Sequence, residues 1–189
     1  MICLVCEKIS FSIICQNCQD LYLKANIIKR NITKEVPLYS FYNYDEINDL
    51  LLLKYKIIGS RVYEILAKNS FKIFAKSFDY KTNIYTIAID DNIKKGYSHT
   101  SILAKHLKKK NISILHHALI STNNTQYANK SLEYRLQNPR DFIYKAKSNI
   151  DVILVDDIVV SGSTMKEAIA ILEKNNVNVL FALCLCDKQ

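Results

Sequence analysis

Two apolar runs, Val152–Val155 and Val177–Cys186 (the latter broken only by Asn178), lie toward the C-terminal end of the chain. Runs of this length read as strands buried on both faces. Between them, Thr164–Lys174 places apolar residues at helical spacing. Upstream, the aromatic-rich Leu38–Tyr44 predicts a strand. Asp45 can then cap a helix carrying Ile47, Leu50, Leu51 and Ile57, and a second helical pattern from Ser60 carries Val62, Ile65, Leu66 and Phe71. The pattern continues with a strand over Ile84–Ile89 and a helix over Ser98–Lys110 with Ile102, Leu103 and Leu107 on one face. A short strand is expected at Ile112–Leu115 and a buried one at Ile150–Val155. Across Ser121–Lys147 the periodicity fades and polar residues dominate, which predicts a long loop or lid with a helical turn or two. Strands alternating with helices indicate an α/β fold, a mostly parallel sheet flanked by helices. Ligands of such sheets bind beyond the carboxyl ends of the strands.

Composition bounds this picture without redirecting it. With 189 residues and 49% hydrophobic content, the chain can bury a full α/β core. No apolar run approaches the roughly 20 residues that span a bilayer. The opening MICLVCEKIS has neither the basic region nor the apolar run of a signal peptide, so the expectation is a cytoplasmic protein with reduced cysteines. The net charge of +8 is uneven: residues 91–150 hold eleven basic and three acidic residues, and residues 151–189 hold three and six. An anionic partner is therefore expected in the middle of the chain, either a pyrophosphate or a nucleic acid. Tyr97, Tyr127, Tyr134 and Tyr144 are interleaved there, as stacking platforms or as packing residues.

Cys3, Cys6, Cys15 and Cys18 follow the spacing C-x2-C-x8-C-x2-C. Each pair can make a tight turn that aims two thiolates at one centre, and eight residues suffice for a hairpin that joins the turns. A structural zinc site is the expectation, with an iron–sulfur centre or disulfides as alternatives. Residues 1–24 then read as a zinc knuckle beside a domain over residues 36–189. On that reading a chelator unfolds the knuckle and leaves the core. Cys184 and Cys186 alternate within an apolar strand and are expected to be buried.

The candidate chemistry lies at Val152–Thr164, VILVDDIVVSGST. The adjacent carboxylates of Asp156 and Asp157 can accept hydrogen bonds from sugar hydroxyls. The small hydroxyl-bearing turn that opens the next helix can bind phosphate through N–H and O–H donors. A glycine at 162 permits close backbone approach or a positive φ. A Walker loop would need Gly-Lys-Ser/Thr and a dinucleotide fingerprint needs three spaced glycines. The chain has only Gly59, Gly96 and Gly162.

This order of residues resembles the phosphoribosyl pyrophosphate (PRPP) signature of type I phosphoribosyltransferases. The resemblance implies that Asp156 and Asp157 bind the ribose hydroxyls, directly or through Mg²⁺ carried with PRPP. It implies too that Ser161, Gly162, Ser163 and Thr164 wrap the 5-phosphate. Val160 stands where those enzymes commonly have threonine. The knuckle, the aromatic strand with its Leu/Lys-rich helix, and the PRPP-type loop together are similar to the ComF family of competence proteins. Thr125-Gln126, Glu133, Arg135, Asn138 and Phe142 follow that family's spaced pattern, and Lys95-Gly96-Tyr97 stands where it often has Arg-Gly-Phe. At its usual Pro-Val-Pro this chain has Ala88-Ile89-Asp90-Asp91. Asp90 and Asp91 would lie in the pyrophosphate loop, where they can hold Mg²⁺. Otherwise the site binds its ligand without efficient turnover. Lys94 and Lys95 are the nearest offsetting charges, and His99 lies close by. The family implies a role in DNA uptake during natural transformation, with single-stranded DNA and other uptake proteins as partners. The alternative is an active PRPP-dependent transferase acting on a nitrogen acceptor.

Overall fold

The two C-terminal apolar runs become the centre of a six-stranded sheet, where helices cover both faces and bury both rows of side chains. The computed structural model describes residues 1–89, 96–123 and 132–188, leaving the side chains of Leu132, Arg135 and Leu136 undescribed. After a cysteine-bearing turn come α1 (Gln16–Tyr22), β1 (Ile28–Asn31), β2 (Pro37–Tyr42) and α2 (Tyr44–Leu52). A 3₁₀ turn at Leu53–Tyr55 leads to α3 (Gly59–Asn69), α4 (Phe71–Ser77), β3 (Ile84–Ala88), α5 (His99–Lys105) and β4 (Ile112–Ile114). The chain closes with β5 (Leu119–Ser121), α6 (Leu132–Gln137), β6 (Phe142–Tyr144), β7 (Ile150–Val159), α7 (Ser163–Lys174) and β8 (Val177–Asp187).

The sheet order is β1-β2-β8-β7-β3-β4, parallel throughout except for the antiparallel β1. This is the α/β, mostly parallel arrangement that the alternation of strands and helices predicts. Strand residues alternate between two cores. Ile153, Val155, Leu183 and Leu185 pack under α2–α5 with Tyr63, Leu66 and Leu103. Val152, Leu154, Ala182 and Cys184 pack under α7 with Met165, Ile169 and Leu172. Each fully buried aliphatic side chain is worth roughly 1.5–3 kcal/mol. The sheet therefore draws its stability from both faces.

The direction of winding locates a crevice. From β3 the chain passes through α5 to β4 on one side, and from β7 it passes through α7 to β8 on the other. The β3/β7 boundary is thus the topological switch point, where parallel sheets leave room for a ligand beyond their carboxyl ends.

Several element boundaries differ from the sequence expectation. The cap of α2 falls at Asn43, not Asp45, and Ile57 lies past its end, 97% exposed. The helix expected to run from Ser60 through Phe71 is two helices. The Ser70 hydroxyl donates to the Leu66 carbonyl at 2.6 Å and the backbone turns there. Ser98, the expected start of the helix, caps α5 by accepting from the Ser101 N–H, but the helix stops at Lys105 rather than Lys110. The expected loop over Ser121–Lys147 holds its helical turns as α6, and adds β6, which pairs antiparallel with β5 at the loop's start. A three-residue strand such as β6, set in a polar stretch, carries too little alternation to stand out.

Gly59 has a packing reason to be glycine. A Cβ there would stand 2.2 Å from both the Leu53 carbonyl oxygen and the Tyr97 hydroxyl. The bare backbone lets the 3₁₀ turn fold tightly against α3, and that turn carries Lys54.

Candidate functional site

The acidic pair sits where β7 loses one neighbour and keeps the other. β3 pairs as far as Ala88 with Val155, and among the described residues the last backbone contact on this side is the Ile89 N–H to the Val155 carbonyl at 2.8 Å. β8 continues, with Asp156 opposite Cys184, Ile158 opposite Cys186 and Val159 opposite Asp187. The strand expected to stop at Val155 therefore runs to Val159, because the apolar length of β8 keeps supplying partners. Successive strand residues point to opposite faces, so the two acids part. Asp156 lines a cavity of about 40 Å³ together with residues 158–165. Asp157 turns to the other face, under α3, and is 5% exposed.

The loop between β7 and α7 is set by Gly162, whose φ of +76° is left-handed. The Ser161 and Ser163 hydroxyl oxygens lie 3.0 Å apart, and the Lys166 N–H donates to the Gly162 carbonyl at 2.9 Å as α7 begins. The first-turn N–H groups of a helix have no intrahelical acceptors, and the dipole makes that end positive. The first turn of α7 contains no acidic residue to compete for those groups. Ser161, Ser163 and Thr164 are all half-buried around the cavity, and Val160 is 40% exposed. The arrangement offers one carboxylate, three hydroxyls and a helix start to a small anion-bearing ligand.

Two groups that the sequence reading did not single out brace this loop. Arg30 of β1 makes a two-point ion pair with Asp187 of β8 and donates to the Val160 carbonyl at 3.4 Å. Lys54 donates to Asp157 Oδ2 at 2.6 Å, joined by the Tyr63 hydroxyl at 3.1 Å and His99 Nε2 at 3.5 Å. A lysine directly after a run of four leucines was the one available signal for Lys54. Arg30 lies in a polar stretch and carried none.

Electrostatics separate the two acids further. Burial pushes Asp156 well above the ordinary carboxylate range, and the adjacent Asp157 charge adds to that. Burial alone would raise Asp157 too, but the Lys54 ammonium, the nearby His99 ring and hydrogen bonds from Lys54 and Tyr63 hold it well below that range. Lys54 is raised in turn: burial lowers it, and Asp157 more than compensates. With its folded pKa raised, Asp156 binds an extra proton in the native state above about pH 4. Its stabilising contribution is therefore complete below that pH and lost as pH rises through the folded pKa. Asp156→Asn, which keeps the acceptor used by the Asp157 N–H at 2.8 Å, should gain thermal midpoint relative to wild type as pH rises from acid to neutral. Melting curves across that range check this, and a difference that stays flat with pH counts against it.

The four N-terminal cysteines converge as their spacing predicts, with all sulfur atoms within 4.8 Å of one another and Cys6 and Cys15 Sγ 3.7 Å apart. A tetrahedron with metal–sulfur arms of about 2.3 Å has edges of about 3.8 Å, so the cluster fits a tetrathiolate metal site. At Cys3, burial raises the thiol but backbone donors at Cys15, Cys6 and Val5 outweigh it and bring it down to about 6. Burial and the neighbouring thiols push Cys18 up to about 12. Cys184 and Cys186 are fully buried in β8, as expected.

Asp90, Asp91, Lys94, Lys95, Thr125, Gln126 and Tyr127 fall outside the described residues, as does the side chain of Arg135. Within the basic segment, Lys105, Lys108 and Lys110 are exposed. Lys109 instead reaches the Phe78 carbonyl, and Lys147 lies 3.7 Å from the Tyr85 ring centroid. Tyr97 and Tyr144 donate to the carbonyls of Lys54 and Lys147 at 2.8 and 2.6 Å, so both hydroxyls serve packing. Among the described residues, no helix is long and apolar enough to cross a membrane.

No family model matches the chain, and no curated protein matches it. Similar solved structures include adenine phosphoribosyltransferase from Saccharomyces cerevisiae, 14% identical over 89% of this chain and 86% of that one, with a TM-score of 0.46. A hypoxanthine phosphoribosyltransferase from Staphylococcus aureus is 19% identical over 67% of this chain and 63% of that one, with a TM-score of 0.44. An adenine phosphoribosyltransferase from Thermoanaerobacter pseudethanolicus is 10% identical over 89% and 98% of the two chains, with a TM-score of 0.43.

Proposed function

We propose that residues 36–189 form a phosphoribosyltransferase-like domain that binds PRPP, or a related phosphoribosyl ligand, with Mg²⁺. The observation that carries this reading is the loop Asp156–Thr164 at the β3/β7 switch point. There a half-buried carboxylate and a hydroxyl-rich helix start enclose one small cavity. Asp156 and Asp157 belong to the ribose end of this site. Val160, Ser161, Gly162, Ser163 and Thr164 supply the 5-phosphate end, where donors and the helix dipole favour a dianion. Mg²⁺ brought with PRPP offsets the charge of the pyrophosphate, and the half-buried Asp156 carboxylate is a suitable oxygen ligand for it.

If turnover occurs, the anomeric C–O bond to pyrophosphate breaks and a nitrogen acceptor forms the new bond. The chain's part is then to orient the ribose and stabilise the departing charge. Titration calorimetry with PRPP and Mg²⁺ is expected to give one site per chain, weakened at least tenfold when ribose 5-phosphate replaces PRPP. A flat titration at millimolar PRPP sinks the proposal. Pyrophosphate release across candidate amines then separates a transferase from a binding protein.

The narrower reading is a ComF-like competence protein that handles incoming single-stranded DNA. It is supported by the resemblance of the chain and by the exposed Lys105 at the end of α5, with Lys108 and Lys110 exposed in the turn after it. Binding of a single-stranded oligonucleotide should weaken steeply with salt, and neutralising Lys108 and Lys110 should make that slope shallower by about one unit or more. A salt-insensitive affinity counts against those contacts. The four-cysteine cluster of residues 1–24 is assigned to structural zinc, on the fit of its sulfur spacing.

A further inference from the structure

The acidic pair is the centre of the proposed site, yet its two members keep different company. Asp156 opens on the cavity. Asp157 has its acceptor positions occupied from within the fold: Lys54 at 2.6 Å, Tyr63 at 3.1 Å and His99 at 3.5 Å on Oδ2, and the Ile158 N–H at 2.9 Å on Oδ1. These partners come from the 3₁₀ turn after α2, from α3 and from α5, so three separate elements meet on one carboxylate. The Asp157 N–H in turn donates to Asp156 Oδ1 at 2.8 Å and fixes the orientation of the neighbouring acid.

We infer that Lys54 and Asp157 form a buried positioning pair for the ligand site, and that Asp156 is the only acid of the two that meets the ligand. This rests on the phosphoribosyl reading and sharpens it. Two adjacent negative charges would repel a ligand carrying three phosphate groups. Lys54 cancels one of them inside the protein, leaving a single carboxylate for the ribose hydroxyls or for Mg²⁺. The pair works through Asp156 and makes no ligand contact of its own. Gly59 is part of the device, because its missing side chain lets the turn bearing Lys54 approach α3 and Tyr97.

The test is a double-mutant cycle on the full chain, read both by PRPP·Mg²⁺ calorimetry and by thermal midpoint, with binding measured well below every midpoint. Asp156→Asn should lose PRPP binding while keeping its fold. Lys54→Met, which strands a buried carboxylate, should weaken PRPP by roughly tenfold or more. Lys54→Met/Asp157→Asn removes both charges together and should bind several-fold more tightly than Lys54→Met alone. Its midpoint should also recover relative to either single variant.

A double variant no better than Lys54→Met, with Asp157→Asn as damaging as Asp156→Asn, overturns the inference and returns Asp157 to direct ligand contact. A Lys54→Met variant that loses midpoint but keeps wild-type affinity overturns it too, since the pair would then serve stability alone. Failure of the wild type to bind PRPP sinks the phosphoribosyl reading and the ligand half of this inference with it. The midpoint cycle still decides whether Lys54 and Asp157 act as one unit.

Discussion

Gly162→Val is expected to abolish PRPP binding, at least hundredfold, while leaving the α/β core folded with a lowered thermal midpoint. Position 162 has a φ of +76°, and a Cβ there would lie 3.1 Å from Ile32 Cδ1 and 3.8 Å from an Arg30 guanidinium nitrogen. A β-branched residue in the left-handed region costs roughly 1–3 kcal/mol of strain. Relief means flattening the turn, and that withdraws the Ser161 and Ser163 hydroxyls from the mouth of α7. Asparagine tolerates the left-handed region better, so Gly162→Asn should lose less stability than the valine variant and separates backbone strain from side-chain bulk. Calorimetry and melting curves on both variants check the expectation. A Gly162→Val protein that binds like wild type would show that the loop does not hold the phosphate.

On the zinc assignment proposed above, chelation at the four-cysteine cluster should lower the thermal midpoint by on the order of 10 °C, as would follow from losing roughly 4 kcal/mol in a chain of this length. The cluster is not insulated from the rest of the molecule. Cys3, Ile13, Ile14, Cys18 and Leu23 are buried in the same hydrophobic cluster as Phe41, Tyr63 and Phe71. The Tyr42 hydroxyl donates to the Leu23 carbonyl at 3.1 Å, tying the end of β2 to the segment after α1. Spacing alone suggests a separate knuckle whose loss stays local. The packing instead favours transmission into the core under α2–α4. Chelation, or Cys3→Ser, followed by melting and by metal analysis at one zinc per chain, distinguishes the two. An unmoved main transition, with only the first 20 residues exposed, would show that the knuckle is independent.

Much of the architecture was legible along the chain because it rests on local pattern. The runs Val152–Val155 and Val177–Cys186 could be stable only as doubly covered strands, and the alternation of strands with helices implied parallel pairing. Cysteine spacing fixed a convergent cluster, and Ser98 and the Ser-Gly-Ser-Thr turn marked helix starts that the fold uses. What failed was whatever hydrophobic periodicity does not record, whether a local hydroxyl or a neighbour distant in sequence. The break at Ser70 follows from one side chain capturing a carbonyl. The extension of β7 to Val159 follows from β8 offering partners after β3 has left.

The candidate site divides along the same line. The sequence by itself determined which chemistry was available: adjacent carboxylates, a glycine able to turn left-handed, and hydroxyls at a helix start. Only the tertiary structure decided how the carboxylates are used. Strand geometry sends Asp156 and Asp157 to opposite faces, and Lys54, 103 positions away from Asp157, is brought to one of them by a turn that closes over Gly59. Charge pairing inside a fold depends on distance in space, at an effective dielectric well below that of water. Linear spacing holds no record of that distance.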